Sequence, residues 1–575
     1  APAPPPPVPR APADDPPSLA GPNVGTYHCH PLGERDYQNQ QFTVRDAGAG
    51  ASTLRSVSAG GQCLTLLNAY PPSPAAPKNV SFTARLDAML RLLKSAGVNG
   101  IVLNDVNACY AHNARLLEAD ILANVTRNLG PAFEKWGLTP YFSACYGSPT
   151  VLSNVTCDPA APEAAAWWAR KVDAIYDQMP GFGGFLVKAD SEGDLGPMHF
   201  GATEADGANL LARALAPHGG VLMWRAFVYG NAPLQREELV KQSYETFLPL
   251  DGLFDENVVL QIKNGPMDFQ IREPLHPLLG AMNRTNVMME VQAAQEYTGQ
   301  QIHAVNLVTM WEEYLAFDTF HRGPGSTIAD LVSRGSWDAA KKPRRSGMAC
   351  VSNLGSFANW TGHVLAASNT FGFGKLAWDP TRSAESVNAE WAAATFPGGD
   401  GEVRAVVEDI LARGRDLYEG YTSPLGVGFI VFGGSPSSVT NTSGGCAPVT
   451  GGPGTGPKGA TCPVSPGLRD AMFEDVDACP VKNLLWFHNV PWTRPMPTPA
   501  NYTPATADAT VPLYDYIRFQ HYDAVAQVAE LAKRWDALEG RVDDARFSGV
   551  KARFAQQVHD ATVMCDTIMG QFDAW

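Results

Sequence analysis

The central part of the chain alternates amphipathic helices with short apolar strands. Residues 84–96 carry leucines at helical spacing, and Gly97 then leads into an apolar run at 98–104. The same alternation predicts helices that include 162–179 and 203–216, and further strands at 139–145, 184–189, 221–228, 258–263, 287–292, 304–310 and 348–353. Continuous apolar strands between helices are typical of a parallel sheet covered on its outer side. Eight such units predict an α/β fold, a (β/α)8 TIM barrel, with 64–69 as an alternative first strand.

The two ends of the chain follow other patterns. Residues 1–22 are rich in proline, which predicts a polyproline-like tail, and residues 23–68 predict short strands and turns. A Gly/Pro-rich loop at 434–465 precedes amphipathic helices predicted at 522–538 and 542–569. We therefore divide the chain into the tail 1–22, a small β segment 23–68, a barrel 69–420 and a helical C-terminal domain 421–575.

Composition narrows the classes of function. The 575 residues are 45% hydrophobic and 18% charged, which predicts at least one large core. Lys and Arg number 43 against 58 Asp and Glu, a net charge of −15, and no basic run has interleaved aromatics. Nucleic acid is therefore not a predicted partner. No apolar stretch is long enough to cross a bilayer, so membrane insertion is not predicted either.

Several features favour a secreted glycoprotein. The chain begins at Ala1 without Met, as if a leader had been removed, and it has ten cysteines, an even number that suits disulfide bonds. The cysteines form no CxxC pair, so no metal site is predicted. A cytosolic protein with free thiols is the alternative. Glycosylation is predicted at the sequons of Asn79, Asn124, Asn154, Asn283, Asn441 and Asn501.

Charged and aromatic side chains stand where the predicted strands end. In a parallel barrel these ends meet at one mouth, so the side chains are expected to share a pocket. Cations with carboxylates and tryptophans suit a polar, anionic, ring-shaped ligand such as a sugar acid. A rim salt bridge of Lys188 with Asp190 or Glu192 is the simpler alternative for those residues. The predicted binding residues are Lys188, Asp190, Glu192, Arg225, Lys263, Asp268, Arg272 and Trp311.

Glu290 lies inside an otherwise apolar strand, between Met289 and Val291. An ionised carboxylate is costly in such a place unless it is paired. An acid kept protonated near neutral pH is what glycoside cleavage requires of its proton donor. The residues alone leave open whether Glu290 is such a donor or a paired structural carboxylate.

Many strings of the chain resemble glycoside hydrolase family 67, in the family's order and over about residues 82–575. This family contains the α-glucuronidases, which remove glucuronic or 4-O-methylglucuronic acid from the ends of xylan-derived chains. The strings are GVNGIVLN at 97–104, GGFLVKADSEG at 183–193, DGAN at 206–209, MWRAFVY at 223–229, QIKNGPMDFQIREP at 261–274, NVMMEVQ at 286–292, EYTGQ at 296–300, NWTGH at 359–363, LAWDP at 376–380, YTSPLG at 421–426 and LLWFHNVP at 484–491.

The resemblance implies inverting hydrolysis of a uronic-acid-bearing oligosaccharide without cofactor or metal. Glu290 then corresponds to the acid and Glu385 to one of two base-side carboxylates, while Trp360 belongs to a pocket motif. The other base-side carboxylate, an Asp in the family, falls on Phe357 in this sequence. The sequon at Asn359 overlaps the same motif, so we expect it to be unmodified.

Phe357 leaves two functional hypotheses open, because a phenyl ring can neither accept a proton nor orient water. One hypothesis is a secreted α-glucuronidase of altered activity. The alternative is a catalytically impaired member that acts as a glycan-binding or structural component of an extracellular assembly. The resemblance also leaves open whether the C-terminal helices form a homodimer or an intramolecular cap.

A second, shorter resemblance concerns residues 25–66. The strings QQF at 40–42 and GQCL at 61–64 are similar to one repeat of a ricin-type β-trefoil. The alternative is a set of β-hairpins laid on the main domain, with Cys29 bonded to Cys63.

Overall fold

The computed structural model describes the chain in segments. They are residues 43–46, 52–55, 82–103, 114–191, 193–228, 239–266, 269–293, 298, 303–338, 340, 345–352, 360–398, 400–426, 429–430, 461–462, 495–497 and 510–574. Two antiparallel strands, β1 (Thr43–Asp46) and β2 (Ser52–Arg55), fall in the predicted β segment. The predictions for the tail 1–22, for the rest of 23–68 and for most of the loop 434–465 lie outside the described residues.

A parallel sheet of seven strands, paired in chain order, organises the described residues. Its strands are β3 (Gly100–Leu103), β4 (Thr139–Ser143), β5 (Gly184–Val187), β6 (Val221–Arg225), β7 (Val258–Lys263), β8 (Val287–Ala293) and β9 (Met348–Ser352). The helices that precede and connect them are α1 (Phe82–Ala96), α2 (Ala119–Trp136), α3 (Ser148–Ser153), α4 (Pro162–Gln178), α5 (Glu204–Leu215), α6 (Leu239–Phe247), α7 (Leu278–Ala281), α8 (Val308–Ala316) and α9 (Ile328–Arg334). This confirms the predicted α/β, TIM-barrel-like fold.

The predicted strand 304–310 is wrong, because α8 begins within it and no strand pairs there. Side-chain amide oxygens accept hydrogen bonds from backbone N–H groups that a strand would donate to its neighbours. The Ala304 N–H donates to Gln557 Oε1 at 2.9 Å, and the Leu307 N–H donates to Asn369 Oδ1 at 2.8 Å. The apolar residues of this segment therefore enter the core without joining the sheet.

Alternate side chains of the strands lie on opposite faces of the sheet. One set belongs to the large core that the helices cover, and includes Phe185, Trp224 and Leu260. The intervening positions form a separate small cluster on the other face, with Leu186, Met223, Val259 and Met288. The sheet therefore has an outer face under the helices and an inner face of its own.

The chain after β9 is mainly helical, which confirms a helical C-terminal region but begins it well before the predicted boundary at 421. It contains α10 (Ala367–Trp378), α11 (Ala384–Thr395), α12 (Gly401–Thr422), α13 (Leu513–Asp536) and α14 (Asp544–Ala574), with the short strands β10 (Phe429–Ile430), β11 (Thr461–Cys462), β12 (Pro495–Pro497) and β13 (Thr510–Pro512). Trp391, Val407, Val528 and Phe554 join the same core as the outer face of the sheet. The C-terminal helices thus pack directly on the barrel. None of the described helices has the length and apolarity to cross a membrane.

A buried polar junction links α14 to the segment before α8. His303 Nδ1 lies 2.8 Å from Tyr421 Oη, and His303 Nε2 lies 3.1 Å from Asp560 Oδ2. Gln557 adds a bond from its Nε2 to Tyr421 Oη at 3.3 Å. Burial lowers the pKa of His303 despite the opposing effect of Asp560, which favours a neutral imidazole held by hydrogen bonds.

This junction predicts the effect of Asp560→Ala. The substitution leaves His303 Nε2 buried without its partner, so we expect the free energy of unfolding to fall by about 1–3 kcal/mol. Guanidinium denaturation measures the change. The matched control is Lys551→Ala on the same helix, which removes a half-exposed ion pair with Asp536 at 3.4 Å and is expected to cost under about 1 kcal/mol. Equal effects of the two substitutions contradict the role of the junction.

Candidate active site

Polar side chains replace the apolar ones on the inner face towards the carboxyl ends of the strands. They stand two or four residues beyond the members of the small apolar cluster, so the period of two keeps them on the same face. The backbone register sets Arg225 opposite Gln261 and Lys263 opposite Glu290. Four neighbouring strands therefore supply Lys188, Arg225, Gln261, Lys263 and Glu290 to one place.

Glu290 is fully buried and both of its carboxyl oxygens accept hydrogen bonds. Arg225 donates from Nη2 to Oε1 at 2.6 Å and from Nε to Oε2 at 2.9 Å. Gln261 Nε2 donates to Oε2 at 2.6 Å. The side chains of Glu290 and Arg225 are 0% and 4% exposed. A bidentate, charge-assisted pair of this kind stabilises an ionised carboxylate, so Glu290 is a paired carboxylate in this structure.

Three cations surround the ring of Phe227. Lys263 Nζ lies 3.3 Å from the ring centroid, Arg225 Cζ lies at 5.5 Å and Lys188 Nζ at 6.0 Å. Lys188 Nζ also lies 3.2 Å from Asp194 Oδ2. Arg225 and Lys263 therefore open onto the same place, as the sequence predicts, and their shared surroundings favour an anionic ligand.

A neutral imidazole lies near Lys263. Burial and then the charge of Lys263 lower the pKa of His276 to about 3. The Leu278 N–H donates to His276 Nδ1 at 3.2 Å. His276 therefore adds no positive charge to the site near neutral pH.

Asp190 and Glu204 form an acidic pair beside the mouth. Asp190 has a left-handed backbone with φ of 48° and accepts the Met198 N–H at 2.8 Å. A Cβ on Gly196 would stand 2.3 Å from Asp190 Cγ, so this close approach requires glycine. Burial raises the pKa of Asp190 to about 6. Burial, and then the charge of Asp190, raise the pKa of Glu204 well above its usual range, while the Trp224 indole N–H donates to Glu204 Oε2 at 2.8 Å.

Two predicted binding residues are engaged elsewhere. Arg272 forms ion pairs with Glu313 at 3.3 Å and with Glu419 at 3.9 Å. Trp311 does not follow a strand, because it lies within α8, and this placement corrects the prediction. Its indole is 0% exposed and meets the Phe373 ring edge to face at 6.4 Å. A sugar ring needs an open aromatic face, which Trp311 does not offer.

Trp360 and Glu385 lie apart in the chain from the strand ends. The Trp360 indole N–H donates to the Arg85 carbonyl at 2.6 Å, and the Arg85 guanidinium covers the ring at 4.6 Å. Glu385 is exposed on the first turn of α11. The base-side role of Glu385 stays a prediction. Phe357, where the resemblance places the other base-side carboxylate, lies outside the described residues. Glu192 and Asp268 also lie outside the described residues.

Sequence reasoning missed Gln261, Phe227 and Asp194. The period of two along β7 could have found Gln261, since it shares the inner face with Lys263. Phe227 and Asp194 lie beyond the ends of β6 and β5, where no period applies. Their contacts depend on the loops.

Other predicted features stay predictions. Asn154 is exposed, Asn124 and Asn283 are half-buried, and Asn79, Asn441 and Asn501 lie outside the described residues, as does Asn359. Cys157, Cys350 and Cys565 are free thiols. Within the described residues no group of three or more His, Cys, Asp or Glu side chains is arranged to hold a metal ion.

A TIM-barrel-like sheet with acids and bases gathered at the carboxyl ends of its strands is the architecture of barrel enzymes. Residues 75–360 match the glycosyl hydrolase family 67 middle domain, and residues 361–438 and 465–574 match the family's C-terminus. The chain therefore belongs to glycosyl hydrolase family 67, as the resemblance implied. Residues 1–74 are not part of these matches, and the ricin-type resemblance has no support from them.

Curated relatives in fungi are α-glucuronidases by name. The chain is 35% identical over 505 residues to "Probable alpha-glucuronidase A" of Aspergillus flavus, covering 84% of this chain and 57% of the relative. It is 34% identical over 502 residues to "Alpha-glucuronidase" of Hypocrea jecorina, covering 83% and 56%. The chain thus spans little more than half the length of these relatives. A solved O-GlcNAc hydrolase mutant of Thermobaculum terrenum aligns at a TM-score of 0.39 and 9% identity over 85% of this chain and 80% of its own, which is too distant to carry an argument.

The paired carboxylate predicts a double-mutant cycle. Arg225→Met leaves Glu290 buried without its cation, so we expect a loss of about 3–5 kcal/mol in the free energy of unfolding at pH 7. Glu290→Gln in the same chain removes the uncompensated charge, so the double variant is expected to be more stable than Arg225→Met alone. Urea denaturation of the single and double variants measures both. Additive losses contradict the pairing.

Asp190 predicts a dependence of stability on pH. Its pKa of about 6 in the folded protein exceeds the usual 3.8, so the folded state binds a proton that the unfolded chain releases. This contribution is full below about pH 4 and is lost as the pH rises through about 6. Asn cannot titrate and tolerates a left-handed backbone. We therefore expect Asp190→Asn to gain stability relative to the wild type, by up to about 3 kcal/mol, between pH 4 and pH 7.

Denaturation of the wild type and of Asp190→Asn at both pH values measures this difference. Asp177→Asn, on the exposed face of α4, is the matched control and is expected to keep a nearly constant difference from the wild type. If the difference in stability between Asp190→Asn and the wild type does not change with pH, Asp190 is not the group that titrates.

Proposed function

We propose that this chain hydrolyses the bond to terminal glucuronic or 4-O-methylglucuronic acid in xylan-type oligosaccharides, with inversion at the sugar carbon. The observation that carries the proposal is the convergence of Lys188, Arg225 and Lys263 around Phe227, directly beside the buried Glu290. Cations at this point suit the one group that separates a uronic acid from a neutral sugar. Membership of family 67 and the α-glucuronidase names of the fungal relatives support the same substrate class.

In the proposed reaction the cations hold the uronate carboxylate and fix the sugar ring. As the family resemblance implies, Glu290 would protonate the leaving glycosidic oxygen, which requires it to leave Arg225 and hold a proton, and Glu385 would assist the attack of water from the opposite face. An inverting enzyme needs room for that water between its acid and its base, roughly 6.5–9.5 Å between the carboxyl groups. No cofactor takes part in this proposal.

A second candidate function is glycan binding without turnover, within an extracellular assembly. Phe357 favours it, because it stands where the family resemblance places a base-side Asp. Glu385 alone would then have to orient the water. General-base assistance contributes roughly 10²- to 10⁴-fold, so its partial loss lowers turnover without removing the binding site.

Aldouronic acids decide between the two candidates. Incubation of the full chain with them, followed by measurement of free uronic acid, is expected to give slow release that disappears in Glu290→Gln. Binding without any release selects the glycan-binding candidate. We further propose a secreted, disulfide-bonded glycoprotein, supported by the sequons and by the exposure of Asn154, and a mass shift on enzymatic deglycosylation tests the glycan. The homodimer stays a proposal that molar mass in solution tests.

Phe357 predicts a gain of activity. Phe357→Asp supplies the second base-side carboxylate, so we expect uronic acid release to rise by roughly 10²- to 10⁴-fold. Phe357→Leu is the matched control, since it removes the ring without adding a carboxylate, and it is expected to give no gain. Addition of Glu290→Gln to Phe357→Asp is expected to abolish the gain. Equal rates for the Asp and Leu variants contradict the proposed role of this position.

A further inference from the structure

We infer that three buried histidines make the contact of α13 and α14 with the barrel sensitive to acid. His303 and His363 stand in the segments before α8 and α10, and His521 lies on α13. In acid they take up protons, and α13 and α14 open away from the barrel while the parallel sheet stays folded. This acid-induced opening does not depend on the proposed function.

His303 is held as a neutral ring by a chain of hydrogen bonds. Its Nδ1 lies 2.8 Å from Tyr421 Oη, and its Nε2 lies 3.1 Å from Asp560 Oδ2. Gln557 Nε2 donates to Tyr421 Oη at 3.3 Å, which leaves the tyrosine O–H to donate to His303 Nδ1. These bonds assign the single ring proton to Nε2. A second proton on Nδ1 displaces the O–H of Tyr421 from its acceptor.

His363 is likewise favoured as a neutral ring with one N–H. Its Nε2 donates to the His303 carbonyl at 3.2 Å. Its Nδ1 is buried and has no hydrogen-bond partner among the described residues. A proton on Nδ1 is therefore a buried donor without an acceptor, which is costly. Burial and then the charge of Arg553 lower the pKa of His363 to about 3.

His521 lies on the face of α13 that packs against α14. Ile517, one turn before it, packs with Cys565 of α14, and Val525, one turn after it, packs against the same cluster. The His521 residue is 0% exposed, and its ring lies against the backbone of Tyr421. Burial lowers the pKa of His521 to about 4 despite the opposing effect of that backbone.

Asp560 and Arg553 of α14 are the charged groups that face His303 and His363. Burial has the largest effect on both rings and lowers their pKa values. Arg553 lowers these pKa values further, whereas Asp560 raises that of His303. The charge of a protonated His303 also lowers the pKa of His363, so the folded contact does not accommodate both protons.

Other described groups at this contact do not drive its opening in acid. Tyr418 and Tyr421 of α12 face His303 with ring centroids at 6.0 and 5.9 Å, and a phenol is uncharged in acid. Burial raises the pKa of the Cys565 thiol to about 12. Burial also raises the pKa of Glu419 on α12, which favours the folded state in acid and so has the opposite sign.

Lowered histidine pKa values weaken the folded contact as the pH falls. A histidine in an opened chain has a pKa near 6.5, so below about pH 6 it binds a proton that the folded contact excludes. The stabilisation is full above about pH 7 and is lost as the pH falls towards about 4. Each such histidine raises the opening constant about tenfold per pH unit, so three raise it by up to about 1,000-fold.

The parallel sheet carries groups of the opposite sign. Asp190, which follows β5, and Glu204, at the start of α5, have pKa values raised by burial. Their protonation favours the folded state in acid. His276, whose pKa of about 3 is set by burial and by Lys263, opposes them as a single group. Acid therefore opens α13 and α14 before the sheet.

Hydrogen exchange of the full chain between pH 7 and pH 5, followed by mass spectrometry, tests this opening. After correction for the intrinsic exchange rate, we expect the opening constant of the α14 amides to rise by up to about 1,000-fold per pH unit below about pH 6. The amides of β5 to β8 are expected to stay protected. His363→Gln and His521→Gln are each expected to reduce the rise by about tenfold per pH unit, because glutamine does not titrate.

His559→Gln is the matched control, because His559 is exposed on the same helix, next to Asp560. It is expected to keep the wild-type rise. Equal opening constants for α14 and for β5 to β8 overturn the inference, because the whole chain then opens at once. An unchanged rise in both His363→Gln and His521→Gln also overturns it. If a variant does not fold, the wild-type comparison of α14 with the sheet decides.

Discussion

A carboxylate at zero exposure needs a cation, and this requirement organises the inner face of the sheet. Arg225 on β6 reaches Glu290 on β8, and Gln261 of the intervening β7 donates to the same carboxylate. Three strands are thus joined by side chains as well as by their backbone ladder. A slip of one residue in any of them would turn its polar side chain to the outer face, into the apolar core. The pairing therefore specifies the register as well as the site.

The two faces of the sheet have different roles, since the outer face buries most of the apolar surface and the inner face carries the polar site. The outer face shares one apolar core with the helices of the barrel and of the C-terminal part, so most of the burial lies there. The inner face carries only a small apolar cluster before it turns polar. The junction of His303 with Tyr421 and Asp560 shows the same use of buried polar groups at the contact with the C-terminal helices. In both places the buried polar side chains form hydrogen bonds with residues that are distant in the chain.

The sequence predicted the fold to the extent that local pattern determines it. Seven of the eight strands predicted between 98 and 353 exist, because each combines an apolar run with flanking helices. The strand at 304–310 failed because Gln557 and Asn369, distant in the chain, take its backbone groups. The meeting of Lys188, Arg225 and Lys263 followed from the parallel order of strands. The partner of Glu290 did not, since an apolar strand with one acid is compatible with either a free or a paired carboxylate.

The three cations around Phe227 affect how charged ligands approach a protein whose overall charge is −15. A long-range negative field repels acidic sugars, yet a cationic recess with low-dielectric walls focuses field lines and attracts them over the last few ångströms. Mobile ions screen the distant repulsion more than the enclosed attraction. Capture of an acidic sugar is therefore favoured by moderate ionic strength, whereas neutral sugars arrive at a rate that salt hardly alters.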